Sequence, residues 1–259
     1  MIISSTKNEQ IKHLRQLQTK SKTRIEDKHF VVEGAREIKM AIASGIDIQK
    51  VFINSSTFDK HLEFNDSIEL VEISNKVYEY IAYRSTTEGV IAICKTPSHK
   101  LEDLVLNTSF PLVLILESPE KPGNIGAILR TADAANIDAI IIAEPLTDLY
   151  NPNTIRSSLG AIFTTPIATA TNKDAYEYIN THNINGFIAT LQNSNYFGDE
   201  DYRPSTAFIM GNEASGLSAF WRNHSNIKAV NIPMKGKLDS LNLSVSTAIL
   251  TYEALRQRT

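Results

Sequence analysis

The second half of this chain is built on unbroken apolar runs. From Phe110 onward LVLILES, AIIIAEP, GFIATL, TAFIMG and AVNIP follow one another, and the first, second and fourth are aliphatic or aromatic at consecutive positions instead of at every second one. A strand with one wet face alternates. A strand apolar at consecutive positions is covered on both faces, as when helices flank a mostly parallel sheet. GNIGAILRTADAAN and NTIRSSLGAIF between the runs read as helices, and a helix from about Asn242 to Arg256 closes the chain. Residues 110–259 are therefore expected to form an α/β domain. Ligands in such sheets bind beyond the carboxyl ends of the strands, which directs attention to the loops after LILE, TAFIM and AVNIP.

The front of the chain alternates on a smaller scale. A basic helix over residues 8–20, the strand HFVVEG and a helix from Ala35 to Ala43 closed by Gly45 come first. The strand KVFINS, the apolar segment ELVEIS, a short helix around Asn75 to Ala82 and the strand GVIAIC follow. This is the pattern of a separate small α/β domain, residues 1–95. In KTPSHKLEDLVLNTS the residues Pro97, Ser98 and His99 break any strand, which places a linker at 96–109.

The 259 residues, 42% hydrophobic and 21% charged, have the balance of a soluble globular protein. The start, MIISSTKNEQ, lacks a basic-then-apolar leader pattern, and no run approaches membrane-spanning length. Cys94 is the single cysteine. It excludes an internal disulfide framework and makes a reducing cytoplasm the expected location; within GVIAIC it reads as a small buried hydrophobe. The six histidines show no ligand spacing, so no metal is expected.

A net charge of −3 does not advertise a polyanionic partner, but the charge is unevenly spread. Lys7, Lys12, Arg15, Lys20, Lys22 and Arg24 face a single acid, Glu9, between positions 7 and 24. Such an arm suits a phosphate backbone. Taken alone, it better suits a helix that buries Ile11, Leu14 and Leu17 and leaves its lysines wet.

Each of the three strand-end loops carries polar groups in a Gly- or Pro-marked turn. In ESPEKPGNIGAILRTADA, Asn124 is placed to cap a helix and Arg130 sits among Ala, Ile, Leu and Thr, where an arginine requires an anionic partner or a surface position. AFIMGNEASGLS resembles a phosphate-binding loop, with Gly211, Gly216 and Ser218, but Leu217 stands where that loop needs a lysine. Glu213 puts a carboxylate at the mouth of the sheet. In NIPMKGKLDSLNLSVSTAIL, Ile232 and Met234 offer an apolar wall, and Ser240 or Asn242 can cap the last helix.

Together and in this order, NIGAILRTA, IMGNEASGL and IPMKGKLDSLNLSVSTAI resemble the three motifs of the SpoU branch of the SPOUT methyltransferases, also called the TrmH family. YNPNTIRSSLGAIF is similar to that family's intermediate segment, and HFVVEGAREIKMAI with TTEGVIAI to an L30e-like substrate-binding domain. The resemblance implies a C-terminal trefoil knot, a homodimer with sites near the subunit interface, and transfer of a methyl group from S-adenosyl-L-methionine to an RNA ribose 2′-hydroxyl. The front domain favours rRNA over tRNA. Carried over by motif, Gly211, Ile232 and Leu241 hold the cofactor, with Leu191 and Met234 as further walls. Arg130 stands at the catalytic centre with Asn124, Glu213, Ser240 and Asn242 around it. Arg156 in the intermediate segment, Arg130, and Lys20, Lys22 and Arg24 of the basic arm are the candidate RNA contacts.

A guanidinium stays protonated, so Arg130 is better suited to orienting a phosphate and stabilising developing negative charge than to acting as a base. Glu213 and Asn124 are candidates to hold it in place. A P-loop hydrolase is disfavoured by Leu217, and a Rossmann-type methyltransferase by the absence of G-x-G-x-x-G after an early strand. A non-catalytic RNA-binding or ribosome-assembly protein would have no need to keep Asn124, Arg130, Glu213, Ser240 and Asn242 together.

Overall fold

The computed structural model describes residues 2–58, 62–66, 68–83, 88–238 and 240–259. Thr86 and Thr87 of TTEGVIAI and Asp239 of the third motif lie outside the described residues. By chain proximity the protein divides into two compact units, residues 1–97 with 148–164, and residues 98–147 with 165–259. None of the helices among the described residues is long and apolar enough to cross a membrane.

The first unit contains α1 (Glu9–Thr19), α2 (Ser21–Asp27), β1 (His29–Glu33), α3 (Ala35–Ala43), β2 (Ile48–Ile53), β3 (Glu69–Glu72), α4 (Asn75–Ile81) and β4 (Val90–Lys95). Its sheet runs β1-β4-β2-β3, with β4 antiparallel to both neighbours and β3 parallel to β2. The three-residue spacing in α1 does what an amphipathic helix must: Ile11, Leu14 and Leu17 are fully buried against Val31, Phe52 and Ile91. Asn8 caps α1 by accepting from the Gln10 N–H at 2.9 Å. Cys94 is buried in β4, and that burial pushes its thiol well above the ordinary range, as the inert hydrophobe reading requires.

The chain continues with β5 (Leu112–Glu117), α5 (Pro122–Ala134) and β6 (Ala139–Ala143), then α6 (Pro152–Ser158) and α7 (Ala161–Thr164). Residues 148–164, inside the stretch read from sequence as the second domain, group with the first unit. Aromatic packing explains it: Phe30 stacks on Tyr150 with centroids 4.0 Å apart and lies 6.1 Å from Phe163. NTIRSSLGAIF is two helices instead of one. Leu159 ends α6 in the left-handed region, and Gly160 follows at φ +91, where a Cβ would meet the Met40 sulfur at 2.5 Å.

The second unit is completed by β7 (Ile167–Ala170), α8 (Asn172–Thr181), β8 (Asn185–Ala189), β9 (Asn195–Tyr196), β10 (Thr206–Met210), α9 (Ala219–Arg222), β11 (Lys228–Asn231) and α10 (Leu243–Arg258). Its seven strands run β7-β6-β5-β10-β8-β11-β9, and every neighbouring pair is parallel. As expected from the unbroken apolar runs, β5, β6 and β10 are buried at every position. Val113, Ile115, Ile141 and Ile209 share one core with Ala175 and Ile179 of α8 and with Trp221. α10 packs on α5 and β10. Its far end is clamped where Arg258 donates to the carbonyls of Phe110, Tyr202 and Pro204 at 2.7, 2.8 and 2.7 Å. That clamp fixes the line along which the start of α10 meets the sheet.

Candidate active site

Three adjacent strands, β10, β8 and β11, end on one side of a cavity of about 480 Å³. That is the size of a site for a cofactor-sized ligand. Its walls come from the residues after each strand, from the first residues of α10, and from Lys121 and Asn124 at the start of α5. Leu191, Gly211, Ile232, Met234 and Leu241, the expected cofactor contacts, all line it. So do Asn124, Glu213, Ser240 and Asn242.

The loop after β10 is a closed turn. Asn212 and Gly216 exchange backbone hydrogen bonds at 3.0 and 2.9 Å. The Asn212 side-chain oxygen accepts from the N–H groups of Ala214 and Ser215, and its amide donates to the Ser118 carbonyl at 2.8 Å. Gly216 takes φ +67, a conformation other residues resist. A Cβ on Gly211 would lie 2.4 Å from the Gly216 carbonyl carbon and the Leu217 nitrogen. The close approach that requires glycine at 211 is thus made by the loop's own backbone. Leu217 sits in the core, consistent with packing in place of the missing phosphate-binding lysine.

Glu213 projects from this turn and organises the mouth. Its carboxylate accepts from the N–H groups of Glu120 and Lys121 at 3.1 and 3.2 Å and from the Asn124 side-chain amide at 2.8 Å. The Asn124 oxygen in turn accepts from the Asn242 amide at 3.1 Å, and the Asn242 oxygen accepts from the N–H and hydroxyl of Ser244 at 2.9 and 2.7 Å. Only one orientation of each amide satisfies this chain, because a carboxylate takes hydrogen bonds and gives none. Burial by itself raises the Glu213 carboxyl, but the hydrogen bonds from Glu120, Asn124 and Lys121 outweigh it and hold the group below the ordinary carboxylate range. Asn242 is therefore both the cap of α10 and a member of the site.

Behind the mouth lies a brace that the sequence reading did not assign. Glu117, 4% exposed at the end of β5, accepts from the Asn172 amide at 2.6 Å and from the Ser218 N–H at 2.8 Å. The indole of Trp221 donates to Asn172 at 2.9 Å. A glutamate ending an otherwise fully apolar strand was the available signal.

Arg130 and Arg24 are placed otherwise than expected. Arg130 does not line the cavity of its own chain. It is exposed on α5 and is not held by Glu213 or Asn124, contrary to the expectation that they position it. Six residues along a helix turn it about 120° from Asn124 and carry it about 9 Å along the axis. Arg156 lies in the first unit, its guanidinium 5.6 Å from the Tyr83 ring centroid. Arg24 is 4% exposed, bound to the Asp148 carboxylate and the Leu17 carbonyl, so it is not available as an RNA contact. Lys20 and Lys22 are exposed. Among the described residues no group of three or more His, Cys, Asp or Glu is placed to hold a metal ion.

Residues 111–252 match the SpoU rRNA methylase family, and residues 8–92 match the MRM3-like substrate binding domain. A 23S rRNA guanosine 2′-O-methyltransferase of Bacillus subtilis is 28% identical over 251 residues, which cover 96% of this chain and 97% of that protein. A solved RNA 2′-O ribose methyltransferase superposes with a TM-score of 0.84 at 35% identity, covering 100% of this chain and 99% of the other. The AdoMet-bound rRNA methyltransferase from Sinorhizobium meliloti gives a TM-score of 0.89 at 27% identity, covering 100% and 98%.

Proposed function

The chain belongs to the SpoU rRNA methylase family, and on that premise we propose that it methylates a ribose 2′-hydroxyl of ribosomal RNA with S-adenosyl-L-methionine as donor. The observation that carries this reading is the Glu213–Asn124–Asn242 chain at the mouth of the 480 Å³ cavity. The cavity suits the donor: Leu191, Ile232, Met234 and Leu241 give apolar walls, and the backbone of Leu191 and Ile232, just beyond the bonded Thr190–Val230 pair, supplies hydrogen-bonding groups. When bound, the donor supplies a methyl group on a cationic sulfonium.

The rest is the work of this chain's residues. Glu213 is a positioning residue: with its lone pairs occupied and its carboxyl held below the ordinary range, it is a poor proton acceptor at neutral pH. It fixes Asn124, and Asn124 fixes Asn242, so two amides and the start of α10 meet the incoming ribose in one arrangement. Arg130 supplies the cation that holds an RNA phosphate and favours negative charge on the 2′-oxygen. Since it is turned away from its own cavity, it serves the cavity of a second copy. The homodimer pairs through the face of α10 that exposes Val245 and Tyr252. Ser240 and Lys121 contact the substrate at the cavity mouth.

The second unit, residues 98–147 with 165–259, is the methyltransferase domain and the first, residues 1–97 with 148–164, the RNA-holding domain, with Lys20 and Lys22 following the phosphate backbone. The C-terminal trefoil knot and a cytoplasmic location belong to the same reading. The test is to incubate the protein and radiolabelled donor with total RNA from a strain lacking the gene. Label in rRNA is expected. Label confined to tRNA, or donor binding with no label in any RNA, would replace the reading with a tRNA enzyme or a non-catalytic RNA-binding protein.

A further inference from the structure

A smaller cavity of about 90 Å³ lies within the first unit. Three carboxylates line it, Glu33, Glu37 and Glu88. Two of them are occupied: Glu33 accepts from the Tyr83 N–H at 2.9 Å, and Glu88 accepts from the Ala35 N–H. Glu37 is different. It is 7% exposed, and among the described residues no hydrogen bond or ion pair reaches its carboxylate. The start of α3 favours an acid there, but the helix dipole offsets only a fraction of the cost of burying a carboxylate without a donor. The three acids are not arranged to share a metal ion.

The rest of the lining is of another character. Tyr83, an exposed residue, and Arg156 line the same cavity, the Arg156 guanidinium 5.6 Å from the Tyr83 ring centroid, and the Tyr83 hydroxyl donates to Asn153 at 2.9 Å. A fixed aromatic plane beside a buried acceptor is how single-stranded RNA bases are held, one face stacked and the Watson–Crick edge hydrogen-bonded. Three carboxylates against the single guanidinium of Arg156 make the cavity unfavourable for a phosphate. Among the bases, adenine and cytosine place an acceptor nitrogen beside their amino group, and uracil flanks its one N–H with two carbonyls. Guanine alone presents two adjacent donors, N1–H and the N2 amino group, to one carboxylate.

We propose that this cavity takes the Watson–Crick edge of an unpaired guanine of the RNA substrate, N1–H and N2–H donating to Glu37 and the ring lying against Tyr83. The proposal rests on RNA being the substrate, and it assigns the first unit a base-reading role in addition to backbone contact. The test is binding of the full chain to fluorescent uridine 9-mers carrying one central guanosine, inosine or adenosine. Inosine keeps N1–H and lacks only the N2 amino group. The guanosine 9-mer is expected to bind about tenfold tighter than the other two. Glu37→Gln abolishes that preference, and Tyr83→Ala, at an exposed position, lowers guanosine binding to the inosine level. Equal binding of guanosine and inosine by the unmodified protein, or an undiminished preference in either folded variant, overturns the proposal. Methyl transfer to rRNA is measured in parallel. Transfer without guanine preference removes this site alone, and guanine preference without transfer to any RNA removes the methyltransferase reading alone.

Discussion

Asn124 and Glu213, 89 residues apart in the chain, meet at 2.8 Å and fix each other at the mouth of the candidate active site. Replacing Glu213 by Gln leaves an amide that has no preference for donor over acceptor, so Asn124 loses its single orientation. Turnover is expected to fall roughly 10- to 100-fold, with donor affinity changed far less. A parallel rise in the Kd for S-adenosyl-L-methionine would assign Glu213 to donor binding. The stabilising contribution of Glu213 has a definite sign with pH. Because the folded carboxyl lies below its ordinary value, the contribution is complete at neutral pH and is lost as pH falls through the ordinary carboxylate range toward the folded value. The melting temperatures of wild type and Glu213→Gln should therefore converge on acidification.

The loop glycines differ in kind. Gly211→Ala puts a Cβ 2.4 Å from backbone atoms that cannot turn aside, which opens the loop carrying Glu213. A loss of about 2 kcal/mol or more and failure of donor binding are expected. Gly216→Ala meets no neighbouring atom but must hold φ +67, a strain of about 1–2 kcal/mol. Calorimetric titration with the donor should separate the two: binding survives in the second variant and not in the first.

Of the three arm residues expected to contact RNA, Arg24 holds the fold and Lys20 and Lys22 face solvent. Arg24→Ala strands the Asp148 carboxylate and should cost about 3–5 kcal/mol. Lys20→Ala with Lys22→Ala should leave the melting temperature unchanged and weaken RNA binding. The slope of log K against log salt should fall by about 1–2 as two phosphate contacts are lost.

Arg130 gives two tests. Arg130→Lys keeps the charge and loses the planar fork, and turnover should drop by roughly 100-fold. Mixing inactive Arg130→Ala with inactive Asn124→Ala subunits should restore about a quarter of wild-type activity through hybrid dimers, each with one intact site. A mixture that stays inactive places Arg130 in the service of its own chain.

The sequence was most legible where local physics decides the outcome. The continuous aliphatic runs of β5, β6 and β10 pointed to doubly covered strands, and the spacing of Ile11, Leu14 and Leu17 to a helix with one buried face. β7 and α8 went unread because their signals are thin: β7 is the four residues IATA, and α8 is a polar helix that buries only Ala175 and Ile179. The residue types of the site were visible through the motifs, but their pairings were not. Asn242 reaches Asn124 across 118 residues of chain, and no local pattern encodes such a contact. Arg24 misled because charge was visible and burial was not: its partner, Asp148, lies 124 residues away.

The central claim is that the methyl group goes to a ribose 2′-oxygen. A 2′-O-methyl group removes the nucleophile by which alkali cleaves the neighbouring phosphodiester, so alkaline hydrolysis distinguishes ribose from base methylation directly. rRNA labelled by the purified protein and radioactive S-adenosyl-L-methionine should release its label in alkali-stable dinucleotides. Label released as single nucleotides would place the methyl group on a base and contradict the account.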